Sequence, residues 1–187
     1  MSPSSFEGEA AALQRVGLDE RGAGVDDSSL DSGFCGRAVK EDQVRPRVEE
    51  AVSALRARDA FLLENDVSER AICAKLACYI APLFPDHSVD VEYNRHGLDP
   101  KSLTLPAECN SGGERLVIPD IFIHRRGSDT ENLLVIEIKK DTNRDSRACD
   151  YAKIHAMKAQ FGYAYGVLIE LPAGPGMRDR APSEVWL

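Results

Sequence analysis

The 187 residues predict an α/β domain in which a helix, three strands, a helix and a strand follow an extra N-terminal helix. Three observations carry this reading. Residues 117–140, VIPDIFIHRRGSDTENLLVIEIKK, hold two runs rich in Val, Ile and Phe around a polar segment at 125–132, the composition of a β-hairpin. Stretches with apolar residues at helical spacing lie on both sides of it. The run YAYGVLIEL at 163–171 is apolar enough to be a strand inside a sheet.

Taken in order, residues 1–40 are rich in Ser, Gly, Asp and Glu without sustained periodicity and read as a disordered arm. Residues 44–63 carry Val48, Val52, Leu55 and Phe61 as the apolar markers of the extra helix. Asp66-Val67-Ser68-Glu69 has a capping-box pattern that opens the first core helix. Ala71, Ile72, Leu76, Tyr79, Ile80 and Leu83 follow at helical spacing, and Pro82 and Pro85 end the run. Residues 89–94 alternate Val89, Val91 and Tyr93 against Asp90, Glu92 and Asn94, a half-buried strand. A Gly-, Pro- and Ser-bearing loop at 96–113 leads to a strand at 116–124. Beyond the hairpin, residues 144–161 read as a helix carrying Ala148, Tyr151, Ala152, Ile154, His155, Met157 and Lys158. The domain spans 41–171. Residues 172–187, with three prolines, form a tail whose Val185-Trp186-Leu187 folds back or binds a partner.

The chemistry concentrates in the hairpin. Strand alternation puts Glu137 and Lys139 on one face, about 6 to 7 Å apart at about 3.3 Å per residue, and Asp120, Phe122 and His124 on one face of the preceding strand. If the strands pair with these faces matched, Asp120 and Glu137 can hold one divalent ion. Mg²⁺ suits two hard carboxylates because it keeps waters for substrate or nucleophile, with Mn²⁺ as a substitute. Lys139 then sits where it can orient the attacking water and offset phosphate charge. The bland reading makes Asp120 a strand-start residue behind Pro119, and Glu137 with Lys139 a solvated ladder.

At Pro119-Asp120 and Glu137-Ile138-Lys139 the sequence resembles the PD-(D/E)xK nuclease superfamily, and the element order over residues 66–171 is similar as well. The resemblance implies a restriction-endonuclease-like core, α-β-β-β-α-β, with a central mixed sheet flanked by helices. It implies a Mg²⁺-dependent phosphodiesterase, an endo- or exodeoxyribonuclease, with DNA as its partner. It further implies Asp120, Glu137 and the Ile138 carbonyl as metal ligands and Lys139 beside the nucleophilic water. Glu69 matches the acid that the first core helix adds in many members; its alternative role is to cap that helix. Glu92 is the rival third acid, with a solvent-facing strand position as its plainer reading. Lys153, with Arg147 and Lys158, is a candidate phosphate track, against ordinary solvation of a helix face. His124, Arg125 and Arg126 are candidates for touching the nucleic-acid backbone, against a charged hairpin tip that merely stays wet.

A net charge of −8 and a pI near 5.1 exclude a protein that coats nucleic acid by bulk charge, so affinity would come from a local patch and a bridging cation. A homodimer or a partner subunit would lengthen the contact track. None of the four histidines has zinc-site spacing. Five cysteines without a CxxC pair fit reduced thiols in the cytoplasm better than disulfides. No apolar run approaches a membrane span, and none reads as a signal peptide. The alternative function is a weak or inactive domain of the same fold that serves as a nucleic-acid or protein interaction module. A third reading is an unrelated α/β domain whose sheet order separates the Asp120 strand from the Glu137 strand.

Overall fold

A computed structural model describes residues 39–96, 99–100, 103–109, 118–128 and 130–187. The expected arm at 1–40 lies outside the described residues except for its last two, as do residues 116–117 of the expected second strand. The extra helix divides at Asp59 into α1, Glu41–Arg58, and α2, Ala60–Glu64. Val44, Val48, Val52 and Leu55 line the buried stripe of α1 at helical spacing. Phe61, expected on the same stripe, is instead 70% exposed, because the break at Asp59 turns α2 so that Ala60 and Leu63 are buried.

Helix α3 spans Glu69–Ile80, and its N-cap is Ser68, whose hydroxyl accepts from the Ala71 amide at 3.4 Å. The cap expected at Asp66 is thus corrected. Asp66 has a left-handed backbone (φ 50°), and Glu69 is the first helical residue rather than the third, so its carboxylate is released from the capping box.

Strand β1, Ser88–Val91, is followed by a small ribbon of β2, Arg95–His96, and β3, Asp99–Pro100, within the segment read as loop. Next come β4, Ile121–His124, and β5, Leu134–Lys140, then α4, Ala148–Phe161, and β6, Tyr165–Leu171. The segment expected as a tail supplies β7, Ser183–Trp186. The result is an α/β fold around an open five-stranded mixed sheet of order β1-β4-β5-β6-β7. Neighbours are antiparallel except β5 and β6, which run parallel and require the crossover that α4 provides.

The two faces of the sheet bury different sets. Ile121, Ile123, Leu134, Ile136, Ile138, Val167 and Ile169 pack with α1 and α3. Phe122, Val135 and Leu168 pack with Ile154 and Met157 of α4. Gly166 permits the close approach of α4, since a Cβ there would lie 2.2 Å from Ile154 Cγ2. Gly162 ends α4 in the left-handed conformation that favours glycine (φ 69°).

The cysteine expectation is corrected too. Cys109 and Cys149 form a disulfide with Cα atoms 5.3 Å apart, Cys73 and Cys78 are free, and Cys35 lies outside the described residues. The two bonded positions are 40 residues apart, and only the fold brings them together. Among the described residues no helix is long and apolar enough to cross a membrane.

Candidate active site

Strands β4 and β5 are neighbours in antiparallel register, with Ile121 opposite Ile136. Asp120 directly precedes β4 and Glu137 follows Ile136 on β5, so the two residues come next to each other where the ladder ends. The Asp120 Oδ2 accepts a hydrogen bond from the Ile138 amide at 2.8 Å. In an extended strand the N–H and C=O of one residue point to the same edge, so the Ile138 carbonyl is also directed to the Asp120 side.

Alternation then turns Glu137 and Lys139 towards α4, on the face of Phe122 and Val135. Glu137 is 1% exposed. Its Oε2 accepts from Lys153 Nζ of α4 at 2.7 Å, and its Oε1 has no hydrogen-bond partner among the described residues. Lys153 Nζ also lies 3.0 Å from Asp150 Oδ1, one turn earlier on the same helix. Lys139 Nζ stands 3.6 Å from Asp150 Oδ2 and 3.9 Å from Glu69 Oε2. Glu69 reaches this strand end from α3 because its Oε1 accepts from the Lys140 amide at 3.0 Å and from Asn143 Nδ2 at 3.1 Å.

The electrostatics follow from that burial. Desolvation raises the Asp120 carboxyl above its ordinary range despite the Ile138 amide and the two lysines. Desolvation, and after it the Asp120 charge, pushes Glu137 well above its range although Lys153 opposes the shift. Burial alone would lower Lys153, but Glu137 and Asp150 together hold its ammonium above its ordinary value. Asp120, Glu137, Asp150 and Glu69 outnumber Lys139 and Lys153 here, an imbalance of acidic over basic groups around the buried Glu137.

A divalent cation suits that imbalance. Among the described residues no group of three or more His, Cys, Asp or Glu side chains is spaced to hold a metal; the hard donors beside the Ile138 amide are the carboxylates of Asp120 and Glu137. Mg²⁺ needs no more, since it commonly takes one or two carboxylates and completes its shell with waters and phosphate oxygens. The unpartnered Glu137 Oε1 is a donor of the right kind. Hard carboxylate oxygens are the donor type that such an ion takes.

Of the other sequence candidates, Lys153 joins this cluster and the rest lie elsewhere. His124 is buried at the far end of β4, about 13 Å along the strand from Asp120. Its Nε2 lies 3.0 Å from Asp90 Oδ2, and its ring packs on Tyr93 at 4.6 Å, so it is not presented to a nucleic acid. Arg126 donates to both Asp90 oxygens, its Nε at 2.8 Å, and Arg125 pairs with Glu131 at 3.0 Å. Lys153, expected on an outer phosphate track, is only 12% exposed and points into the carboxylates. Arg147 is held by Glu170 at 2.8 Å and by the Lys140 and Asn143 carbonyls, and Lys158 donates to the Leu187 carbonyl. Glu92 accepts from Arg70 at 2.8 Å. Asp150 was missed in the sequence. Its signal is the helical stripe Asp150, Ile154, Met157, which puts an acid on the buried face of α4.

No protein-family model, curated protein or solved structure matches this chain.

Proposed function

We propose that the chain is a metal-dependent nuclease that hydrolyses phosphodiester bonds, with DNA as the favoured substrate and Mg²⁺, or Mn²⁺ in its place, as the ion. The observation that carries this reading is the Asp120 carboxylate bonded to the Ile138 amide at the end of the β4–β5 ladder, with Glu137 and Lys139 flanking Ile138 on β5. Asp120 and Glu137 would hold the ion with help from the Ile138 carbonyl, and the ion when bound would polarise a phosphate oxygen and a water. The protein's own groups do the rest. The Ile138 amide aims the Asp120 carboxylate, burial keeps bulk water from Glu137, and Lys139 offers the ammonium that orients a water and offsets phosphate charge. Glu69 fixes the end of β5 through the Lys140 amide and so sets where Lys139 stands.

The test is nicking of plasmid DNA by the purified full chain with Mg²⁺ or Mn²⁺, compared with Asp120→Ala and Lys139→Ala. Cleavage that both variants lose by about 10²-fold or more supports the enzyme. Equal traces from all three proteins refute it. The second reading, an interaction module of low turnover, is favoured by one observation: Lys153 already occupies Glu137, the carboxylate that the ion would need. Metal-independent binding of DNA without cleavage would select it.

A further inference from the structure

Lys153 carries its ammonium inside the domain, and such a charge is tolerated only when paired. Two carboxylates share it. The contact to Glu137, 2.7 Å, bridges α4 and β5, whereas the contact to Asp150, 3.0 Å, stays within α4 at a spacing of three residues. Among the described residues each carboxylate has an oxygen without a hydrogen-bond partner, Glu137 Oε1 and Asp150 Oδ2, the latter with Lys139 Nζ at 3.6 Å, and both lie in residues more than nine-tenths buried. An ammonium has three donors on a flexible stem, so it can leave one acceptor while keeping the other. We propose that Lys153 is a resident counter-ion of Glu137 that a divalent cation must displace, and that Asp150 keeps the released ammonium paired within α4.

This inference rests on the Asp120 and Glu137 pair as the cation site and adds how that site is gated. Without a metal, Lys153 neutralises the buried carboxylate and keeps the domain intact. A cation that binds Glu137 meets a positive charge already in place, so affinity falls until the ammonium moves to Asp150. Asp150 is then a positioning residue for Lys153, although its second oxygen also stands 3.6 Å from Lys139 Nζ.

The experiment is Mn²⁺ binding to the full chain near neutral pH, read as loss of the free-ion signal in electron paramagnetic resonance, without substrate. Lys153→Met keeps the stem and removes the charge; it tightens Mn²⁺ binding by about tenfold or more, the lower end of what an opposite charge at this range does to a carboxylate. Lys153→Arg, which grips Glu137 with a planar fork, weakens binding. Asp150→Asn weakens it more in the native background than on top of Lys153→Met, and equal weakening in both overturns the exchange. Unchanged affinity in Lys153→Met, with binding abolished by Glu137→Gln, overturns the exchange and leaves the carboxylate pair standing. Absence of binding in every protein, or no effect of Glu137→Gln, overturns both. If Lys153→Met fails to fold by near-ultraviolet circular dichroism, Lys153→Arg decides: affinity equal to or tighter than native overturns the proposal.

Discussion

The Asp120 carboxylate accepts the Ile138 amide hydrogen at 2.8 Å, one step beyond Ile121 and Ile136, the last residues that β4 and β5 pair at that end. A side chain there continues the ladder where the main chain stops. The bond holds the carboxylate against β5, beside Glu137. Position and repulsion therefore come from one contact.

That repulsion has a pH signature. Burial raises Asp120, and burial with the Asp120 charge raises Glu137, so the native state binds more protons than the unfolded chain. The stability that both groups contribute is present below the ordinary carboxylate range and is lost as pH rises through the raised values. Asp120→Asn, which keeps an acceptor for the Ile138 amide, is expected to melt above the native protein in chelator. The gap should widen between about pH 5 and about pH 8. Thermal melts at the two pH values check this, and a gap that shrinks contradicts it.

Asp90 runs the opposite way. Arg126, and after it His124, hold its carboxyl below the ordinary range, so its contribution is present at neutral pH and lost as pH falls through the lowered value. Asp90→Ala leaves buried His124 without that partner and should cost about 1–3 kcal/mol in urea unfolding. Metal-dependent cleavage at saturating substrate should stay near the native rate, because the change lies at the far end of β4.

Gly166→Ala should loosen the α4 layer. The added methyl meets Ile154 Cγ2 at 2.2 Å, which forces α4 away from the sheet and carries Asp150 and Lys153 with it. A destabilisation of about 1–3 kcal/mol is expected, with cleavage reduced as well. Pairing it with Ile154→Ala should recover about 1 kcal/mol relative to the sum of the single effects, as a double-mutant cycle would show.

Reduction of the Cys109–Cys149 bond should lower stability without abolishing the fold. The closed loop of 40 residues corresponds to about 4 kcal/mol of chain entropy, an upper figure that engineered cases often miss. A lower melting temperature in a thiol reductant, reproduced by Cys149→Ser without it, is the expected result. No shift in either sample would contradict it.

The hairpin was legible in the sequence because a period of two is rigid: once residues 133–140 are a strand, the shared face of Glu137 and Lys139 follows from the geometry of the backbone. The flanking helices were legible as stripes, but their ends were not. Ser68 caps α3 in place of Asp66, since Asp66 adopts a left-handed backbone that no pattern of letters announces. Lys153 read as an outer charge because a helix stripe states which residues align and not which side is covered; Asp150 was lost for the same reason. His124 shared a face with Asp120, as alternation requires, yet burial with Asp90 depends on a strand 34 residues earlier. The disulfide and β7 were illegible because both are set by distant partners.

Strand β7 borders the sheet beside β6, whose sequence YGVLIEL is nearly continuous in apolar residues. β7 is short, carries Glu184, and alternates exposed with half-buried positions. It works as a blunt outer rail. Were it stripped away, β6 would offer unsatisfied amides and carbonyls along an oily ribbon, an invitation to cross-chain zippering. The last strand thus guards colloidal behaviour, while the chemistry proposed for β5 and β4 proceeds two and three strands away.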